Sequence, residues 1–108
     1  MVSTFLKLEG NTVRNRILNF LVVHSEFDYS MRDIARFSDV SYTALKSIWK
    51  EYIRRKMVIY TRCIGNAKMY KLNRENPLVE HFINYYWSIL DSETNKITAK
   101  KEKVVILE

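Results

Sequence analysis

A stripe of cationic and hydroxylated side chains recurs at intervals of three or four residues near the middle of this sequence. Its members, called the basic stripe below, are Thr43, Lys46, Ser47, Lys50 and Arg54. This spacing places them on one side of an α-helix. Ammonium, guanidinium and hydroxyl groups can donate hydrogen bonds to anionic oxygens such as those of phosphate. The stripe contains no carboxylate, because Glu51 falls on the flank of the helix.

The opposite side of the same helix is apolar. Leu45, Ile48, Trp49 and Tyr52 follow the i, i+3, i+4, i+7 pattern of a face that packs against a core. The two patterns together predict an amphipathic helix over residues 41–55, with Ser41 as its N-cap.

The positive charge of the sequence is concentrated in one segment. The 108 residues include 18 Lys or Arg and 12 Asp or Glu, for a net charge of +6. Residues 41–71 contain eight of the basic residues and a single acid, so this segment carries the whole excess. A local concentration of this kind indicates that the partner is a polyanion.

The remaining patterns predict the elements that position this helix. Thr12 can cap a helix over about residues 12–25, and Ser30 with Asp33 forms the start signal of a short helix over about 31–37. A turn over residues 38–40 then leads into the helix at Ser41. Two helices joined by a turn of about three residues have the helix-turn-helix layout.

The second half of the chain predicts a hairpin and a last helix. Residues 57–63 and 67–72 have strand composition, and a Gly-Asn turn separates them. Asn76-Pro77 is a helix start, and the helix is predicted to reach about residue 90. Only two Gly and one Pro favour long elements, so the predicted fold class is mostly α with a small β-hairpin (α+β).

The two ends of the chain give weaker patterns. Residues 4–9 are predicted to be a strand or an arm that ends at Gly10. Residues 91–103 are polar and of mixed charge, which indicates a linker or a frayed, partly flexible tail. Residues 104–107 form a short β-prone run that could pair with residues 5–8.

The last helix carries more apolar side chains than one face of a small domain needs. We interpret the excess as a contact between subunits; the alternative is that this helix wraps the first helix of its own chain. The predicted dimer-interface residues are Leu78, Phe82, Tyr85, Tyr86, Ile89 and Leu90.

Several functional classes lack their required residues. Cys63 is the single cysteine, which excludes an internal disulfide and a cysteine-cluster zinc site, and His24 and His81 have no second ligand at metal spacing. No nucleophile–base pair, phosphate-cradling glycine loop or pair of inward carboxylates is present. We therefore expect no enzymatic activity, no cofactor and no metal. No apolar run approaches a membrane span and no signal peptide is indicated, so we expect a cytoplasmic protein with no membrane partner.

The order helix, extended link, helix, turn, helix, hairpin is the winged-helix arrangement. Four stretches in that order, GNT, YS-x-x-DIA, VS and IGNAK-x-YKLN-x-x-NP, resemble the small winged-helix transcription regulators common in archaea, which are loosely related to MarR- and ArsR-type repressors. The resemblance covers residues 10–90. It implies a homodimer that binds double-stranded DNA, with residues 41–55 as recognition helix and 62–68 as wing.

Two positions depart from the pattern of these regulators. Such families usually have Gly where Lys56 ends the recognition helix, and often Leu where Arg55 stands. We therefore expect Lys56 to adopt the helix-ending, left-handed conformation without Gly, at some strain, and Arg55 to snorkel or to meet an acidic group.

The DNA contacts are predicted from the helix, the wing and the helix that precedes the turn. The predicted contact residues are Tyr42, Thr43, Lys46, Ser47, Lys50, Arg54, Arg62, Asn66, Lys68, Lys71 and Arg32. No Arg, Asn or Gln lies in the first two turns of the recognition helix, so we expect modest base discrimination and much affinity from phosphates.

The predicted organisation has four parts. They are an arm or strand (1–10), a winged-helix DNA-binding domain (11–75), a dimerisation helix (76–91) and a polar tail (92–108). Two alternatives to sequence-specific regulation stay open: a winged-helix protein–protein interaction module, and a nonspecific chromatin or nucleic-acid-binding protein.

Overall fold

A computed structural model describes residues 3–107, with side chains described over residues 3–93. Its elements in chain order are α1 (Thr4–Glu9), α2 (Val13–Val23), β1 (Tyr29–Ser30), α3 (Met31–Ser38), α4 (Tyr42–Arg54), β2 (Val58–Ile64), β3 (Ala67–Leu72) and α5 (Pro77–Leu107). The strands form one antiparallel sheet in the order β1-β3-β2. The mostly helical α+β class is confirmed.

Hydroxyl and amide side chains begin the helices. Thr12, Ser30 and Ser41 each accept a hydrogen bond from a backbone N–H three residues later, at 3.0 to 3.2 Å. The Asn76 side chain accepts one from the N–H of Leu78 at 3.0 Å. These caps satisfy N–H groups that have no partner within their helix, so the starts of α2, α3, α4 and α5 agree with the sequence prediction.

The prediction of a strand or arm over residues 4–9 was wrong, because this segment is helix α1. The Ser3 hydroxyl caps it by accepting from the N–H of Leu6, and Gly10 ends it at a φ of 107°. Phe5 packs against Phe82 and Tyr86 of α5, with ring centroids 5.8 and 5.0 Å apart. A single helical turn can bury Phe5 and Leu6 together, whereas in a strand they would face opposite sides.

The extent of α5 and the number of strands also differ from the prediction. The segment after residue 90, predicted as a polar tail ending in a β-prone run, continues α5 to Leu107. It contains neither Gly nor Pro, and its Lys, Glu and Ala residues favour helix even without an apolar stripe. Residues 27–29 were predicted only as an extended link before the helix start at Ser30; Tyr29 and Ser30 in fact pair with Tyr70 and Met69 as a third strand.

The core lies between α2, α4, the first part of α5 and the sheet. Leu45, Trp49 and Tyr52 of α4 are buried, and the Trp49 ring meets Tyr70 of β3 edge to face at 5.5 Å. Burying an aromatic side chain of this size contributes on the order of 2–3 kcal/mol. The buried side of α4 therefore fixes its rotation, and the basic stripe must point away from the core.

A left-handed turn at Lys56 connects α4 to the hairpin. Lys56 has a φ of 57°, as expected from the missing Gly, and Met57 donates to the Tyr52 carbonyl to close the helix end. The side chains of Asn73 and Asn76 both donate to the Lys56 carbonyl, at 3.0 and 2.9 Å. Two side chains beyond the hairpin thus hold the backbone where α4 ends.

Replacing Lys56 by Gly is expected to stabilise the fold. A residue with a Cβ loses roughly 1–2 kcal/mol in the left-handed conformation; Gly avoids this loss, but its greater freedom in the unfolded chain offsets part of the gain in stability. We expect a net increase of about 0.5–1 kcal/mol in the free energy of unfolding, measured by urea denaturation. Lys50→Gly, within α4, serves as the matched control and should destabilise by about 1 kcal/mol. A lower free energy of unfolding for Lys56→Gly would contradict the conclusion that the backbone at Lys56 is strained.

Candidate nucleic-acid interface

The basic stripe lies on the solvent-exposed side of α4. All five of its residues are exposed, whereas Leu45, Trp49 and Tyr52 on the other side are buried. No carboxylate in the described part of the chain forms an ion pair with Lys46 or Lys50. The Ser47 hydroxyl donates to the Ala44 carbonyl at 2.9 Å, which leaves its lone pairs free to accept.

Two cations lie over the Tyr42 ring at the N-terminal end of α4, and one of them comes from α3. The Arg32 guanidinium lies over the Tyr42 ring at 4.7 Å from its centroid, and the Lys46 ammonium lies 5.5 Å from the same centroid. Cation–π contacts at exposed sites contribute about 0.5–1 kcal/mol each. They hold three of the predicted contact residues in one cluster and leave their N–H donors accessible.

A cleft of about 510 Å³ separates this cluster from the tip of the β2–β3 hairpin. Arg32 and Tyr42 lie on one wall, and Asn66 and Lys68 lie on the other. The structure therefore brings together four predicted contact residues from three elements. Lys50, Arg54 and Lys71 do not line the cleft; Lys71 lies at the base of the hairpin, opposite Ile59.

Arg62, a predicted contact on the hairpin, is held by an acidic partner that the sequence did not reveal. Its Nε and Nη2 atoms donate to the two carboxylate oxygens of Asp28, at 2.9 and 3.1 Å. A register shift between Tyr60 and Arg62 marks a β-bulge at Thr61, whose hydroxyl donates to the same carboxylate. The partners are 34 residues apart, and no local pattern connects them.

This pair changes the charge of the hairpin. Hydrogen bonds from Arg62 and Thr61 lower the pKa of Asp28 to about 2 from its ordinary 3.8, and the carboxylate raises the pKa of Arg62. The Asp28 charge therefore offsets that of Arg62, and Lys68 is left as the unpaired cation of the hairpin tip among the described residues.

Glu51, the one acid of the basic segment, is paired on the flank of α4. It accepts from Arg14 at 2.9 Å and lies 3.5 Å from Arg55, which thus has the acidic partner expected for it. The hydrogen bond from Arg14 is the main cause of the lowered pKa of Glu51. Arg14 belongs to α2, so the contact directs the carboxylate away from the basic stripe.

The predicted dimer-interface residues fall into three groups according to their burial in their own chain. Tyr86 is only 2% exposed, and its hydroxyl donates to the Asn19 side chain at 2.7 Å, so it belongs to the core of its own chain and its assignment was wrong. Phe82, Ile89 and Leu90 are partly buried against the same core. Leu78 and Tyr85 are exposed, and the Tyr85 hydroxyl bonds to the carboxylate of Glu9.

The described residues contain neither a metal-binding cluster nor a membrane-spanning helix. Among the described residues, no group of three or more His, Cys, Asp or Glu side chains is placed to hold a metal ion. Over the same part of the chain, no helix is both long enough and apolar enough to cross a membrane.

Helices α3 and α4 form a helix-turn-helix, and the β2–β3 hairpin flanks α4 as a wing does. The fold is a winged helix-turn-helix. Similar solved structures include the adhesin competence repressor AdcR from Streptococcus pyogenes, with a TM-score of 0.61, 18% identity and coverage of 93% of this chain and 80% of that chain. A mutant of ZitR from Lactococcus lactis in its apo form has a TM-score of 0.61 and 15% identity, over 86% of this chain and 75% of that chain.

A third similar structure is the homodimeric winged helix-turn-helix DNA-binding domain of Mb0332 from Mycobacterium bovis, a possible ArsR-family transcriptional regulator. Its TM-score is 0.58 at 17% identity, over 86% of this chain and 81% of that chain. All three come from bacteria, so the archaeal part of the resemblance is not supported. No family model and no curated protein matches the sequence.

The Asp28–Arg62 pair predicts how the fold responds to acid. Because the pKa of Asp28 is lowered, the pair stabilises the folded state fully above the ordinary pKa of 3.8 and is lost as the pH falls towards about 2. We expect the Asp28 carboxylate to remain mostly ionised at pH 3, as measured by the NMR chemical shift of its carboxyl carbon. In Arg62→Gln its titration should move up towards 3.8, while Arg36→Gln, which breaks the Arg36–Asp33 pair, should leave it unchanged. An Asp28 midpoint near 4 in the unmodified protein would contradict the pairing.

Proposed function

We propose that this protein is a sequence-specific regulator of transcription that binds double-stranded DNA. The observation that carries the proposal is the set of cations without an ion-pair partner on the exposed face of α4 and at the tip of the wing. Lys46 and Lys50 lie on the exposed face of α4, and Lys68 lies at the tip of the wing. The similar solved structures support this reading because AdcR is named as a repressor and the Mb0332 domain is named as DNA-binding.

In this proposal α4 is the recognition helix, over residues 41–55, and enters the major groove, which is about 12 Å wide. Lys46 and Lys50 reach guanine acceptors or phosphates, and Thr43 and Ser47 can bond to any base. The wing, over residues 62–68, follows the backbone or the minor groove, with Lys68 and Asn66 as its contacts. Arg32 reaches phosphate from α3.

We further propose that the protein acts as a homodimer through α5. Leu78 and Tyr85 leave apolar surface exposed on this helix, and the similar Mb0332 domain is homodimeric. Two recognition helices about 34 Å apart would match a pseudo-palindromic site. Regulation by occupancy of such a site requires no catalysis and takes place where the genome is, which in a bacterium or archaeon is the cytoplasm.

Two other functions have specific observations in their favour. The exposed Tyr85 and Trp87 rings favour a protein–protein interaction module. The absence of Arg, Asn and Gln from the first two turns of α4 favours a nonspecific chromatin or nucleic-acid-binding role. The unpaired cations on α4 and at the tip of the wing favour DNA binding over the first alternative. Preference for one duplex over a scrambled duplex separates regulation from the second.

Removing the α4 cations is expected to weaken DNA binding and its salt dependence. In Lys46→Gln with Lys50→Gln, two phosphate or base contacts are lost, so the slope of log K against log salt should fall by roughly 2. At about 100 mM salt we expect a loss of affinity of at least 10-fold, on the order expected for two contacts. Fluorescence anisotropy with the protein's own upstream duplex and a scrambled duplex measures both quantities.

Lys7→Gln provides the matched control, because Lys7 is an exposed lysine of α1 remote in sequence from α4 and the wing. It should reproduce the affinity and the salt slope of the unmodified protein. If the double variant and the control bind alike, α4 is not the recognition helix. Equal binding to both duplexes would instead support the nonspecific role.

The proposed dimer is tested on α5. Replacing Leu78 and Tyr85 together by Ser removes exposed apolar area and should shift the sedimentation-equilibrium mass towards the monomer value of 12.9 kDa. Phe27→Ser, which removes an exposed apolar side chain from the loop before β1, is the control and should leave the mass unchanged. A monomeric mass for the unmodified protein at micromolar concentration would rule out the dimer.

A further inference from the structure

The Tyr42 ring brings together two cations from the two helices of the helix-turn-helix. Tyr42 is the first residue of α4 and is half-buried. The Arg32 guanidinium, from α3, lies 4.7 Å from the ring centroid, and the Lys46 ammonium, one turn further along α4, lies 5.5 Å from it. By the sum of these two distances, the positive charges are at most about 10 Å apart. One aromatic side chain therefore holds two charges from different helices close to each other.

Neither of these cations has a counter-charge among the described residues, because neither Arg32 nor Lys46 forms an ion pair there. The carboxylates of Asp33 and Glu51, on the same two helices, accept hydrogen bonds from other arginines at 3.0 and 2.9 Å. Like charges at this separation repel each other, which favours conformations that move them apart. The negative face of the Tyr42 ring attracts both cations and offsets this repulsion.

A phosphate group is the anion that fits this arrangement. It carries its negative charge on several oxygens, so it can accept hydrogen bonds from a guanidinium and an ammonium at the same time. Binding it replaces the repulsion between the two cations by attraction to a shared partner. Across the cleft of about 510 Å³, the wall that contains Tyr42 is opposite Asn66 and Lys68 of the wing. Cations on α3, on α4 and on the wing suit a chain of phosphates better than an isolated anion.

We propose that Tyr42 is a positioning residue, which holds Arg32 and Lys46 together as one site for a single phosphate group of the DNA backbone. This inference rests on the DNA-binding function proposed above and deepens it in one respect. It assigns Lys46 to the backbone rather than to a guanine base, so the contribution of Lys46 to affinity does not depend on the DNA sequence. An uncharged ring thereby sets part of the affinity for a polyanion.

Replacing the ring tests the site. Tyr42→Leu keeps an apolar side chain but removes the negative aromatic face, so the two cations are no longer held together. We expect binding to the protein's own upstream duplex and to a scrambled duplex to weaken alike, by about 5-fold, in fluorescence anisotropy at about 100 mM salt. Tyr42→Phe retains the aromatic face and should bind both duplexes within about 2-fold of the unmodified protein.

A matched control and a combined variant separate positioning from a general effect on the fold. Phe37→Leu removes another ring that lies under a guanidinium, that of Arg36 at 4.8 Å, outside the cleft, and it should leave the affinity unchanged. In the background of Arg32→Gln with Lys46→Gln, Tyr42→Leu should cause no further loss of affinity, because the ring then has no cation to position. Urea denaturation of each variant establishes that it is folded.

Three outcomes would overturn the phosphate site while leaving the DNA-binding function intact. Equal losses in Tyr42→Phe and Tyr42→Leu would assign the contact to the hydroxyl group. A loss confined to the upstream duplex would make Tyr42 a reader of bases. Unchanged affinity of Tyr42→Leu would show that the ring positions nothing. Failure of the unmodified protein to bind either duplex would instead refute DNA binding, and the phosphate site with it.

The two cations decide the question if Tyr42→Leu does not fold. Arg32→Gln and Lys46→Gln should each weaken binding to both duplexes. Because the two residues serve one phosphate, the loss in the double variant should be smaller than the two single losses combined. Fully additive losses would overturn the shared site.

Discussion

The turn at Lys56 is the constraint on which the arrangement of the elements depends. Here the recognition helix ends, the wing begins, and the asparagines that follow the wing return to bond with the same carbonyl. Asn76 serves twice, since its oxygen starts α5 while its nitrogen donates to the carbonyls of Arg55 and Lys56. Three elements thus diverge from one hydrogen-bonded point, which fixes where the wing leaves α4.

Ion pairing redistributes the charge that the sequence concentrates in α4 and the hairpin. Glu51 is drawn towards Arg14, which leaves the exposed face of α4 purely cationic. On the wing the effect is opposite, because Asp28 binds Arg62 and offsets its charge. Arg62 therefore holds the wing in place more than it attracts an anion. An exposed pair of this kind adds little stability, but a bidentate geometry fixes orientation. Helix and wing therefore differ: the helix supplies cations without a carboxylate partner, whereas the arginine of the wing is fixed by one.

Local patterns predicted most of the fold, and long-range contacts account for what they missed. Capping residues and apolar spacing identified four helices and the hairpin, because these signals act within a few residues. Helix α1 was missed since six residues carry too little periodicity, and Phe5 finds its partners only in α5. The Asp28–Arg62 pair and the burial of Tyr86 also depend on tertiary contacts. The exposed basic stripe on α4 was predictable from the sequence, whereas the ion pairing of Arg62 on the wing was not.

The packing of α1 against α5 has a consequence for how the chain folds during synthesis. Tyr86 and Asn19, whose hydrogen bond lies beside Phe5, are separated by 67 residues. Closing a loop of that length carries an entropic cost that local helices do not, and such contacts form late. On the ribosome, the contacts of Phe5 with Phe82 and Tyr86 therefore form only after α5 has left the exit tunnel. Helix α1 can pack against α2 early, but completion of the core waits for α5.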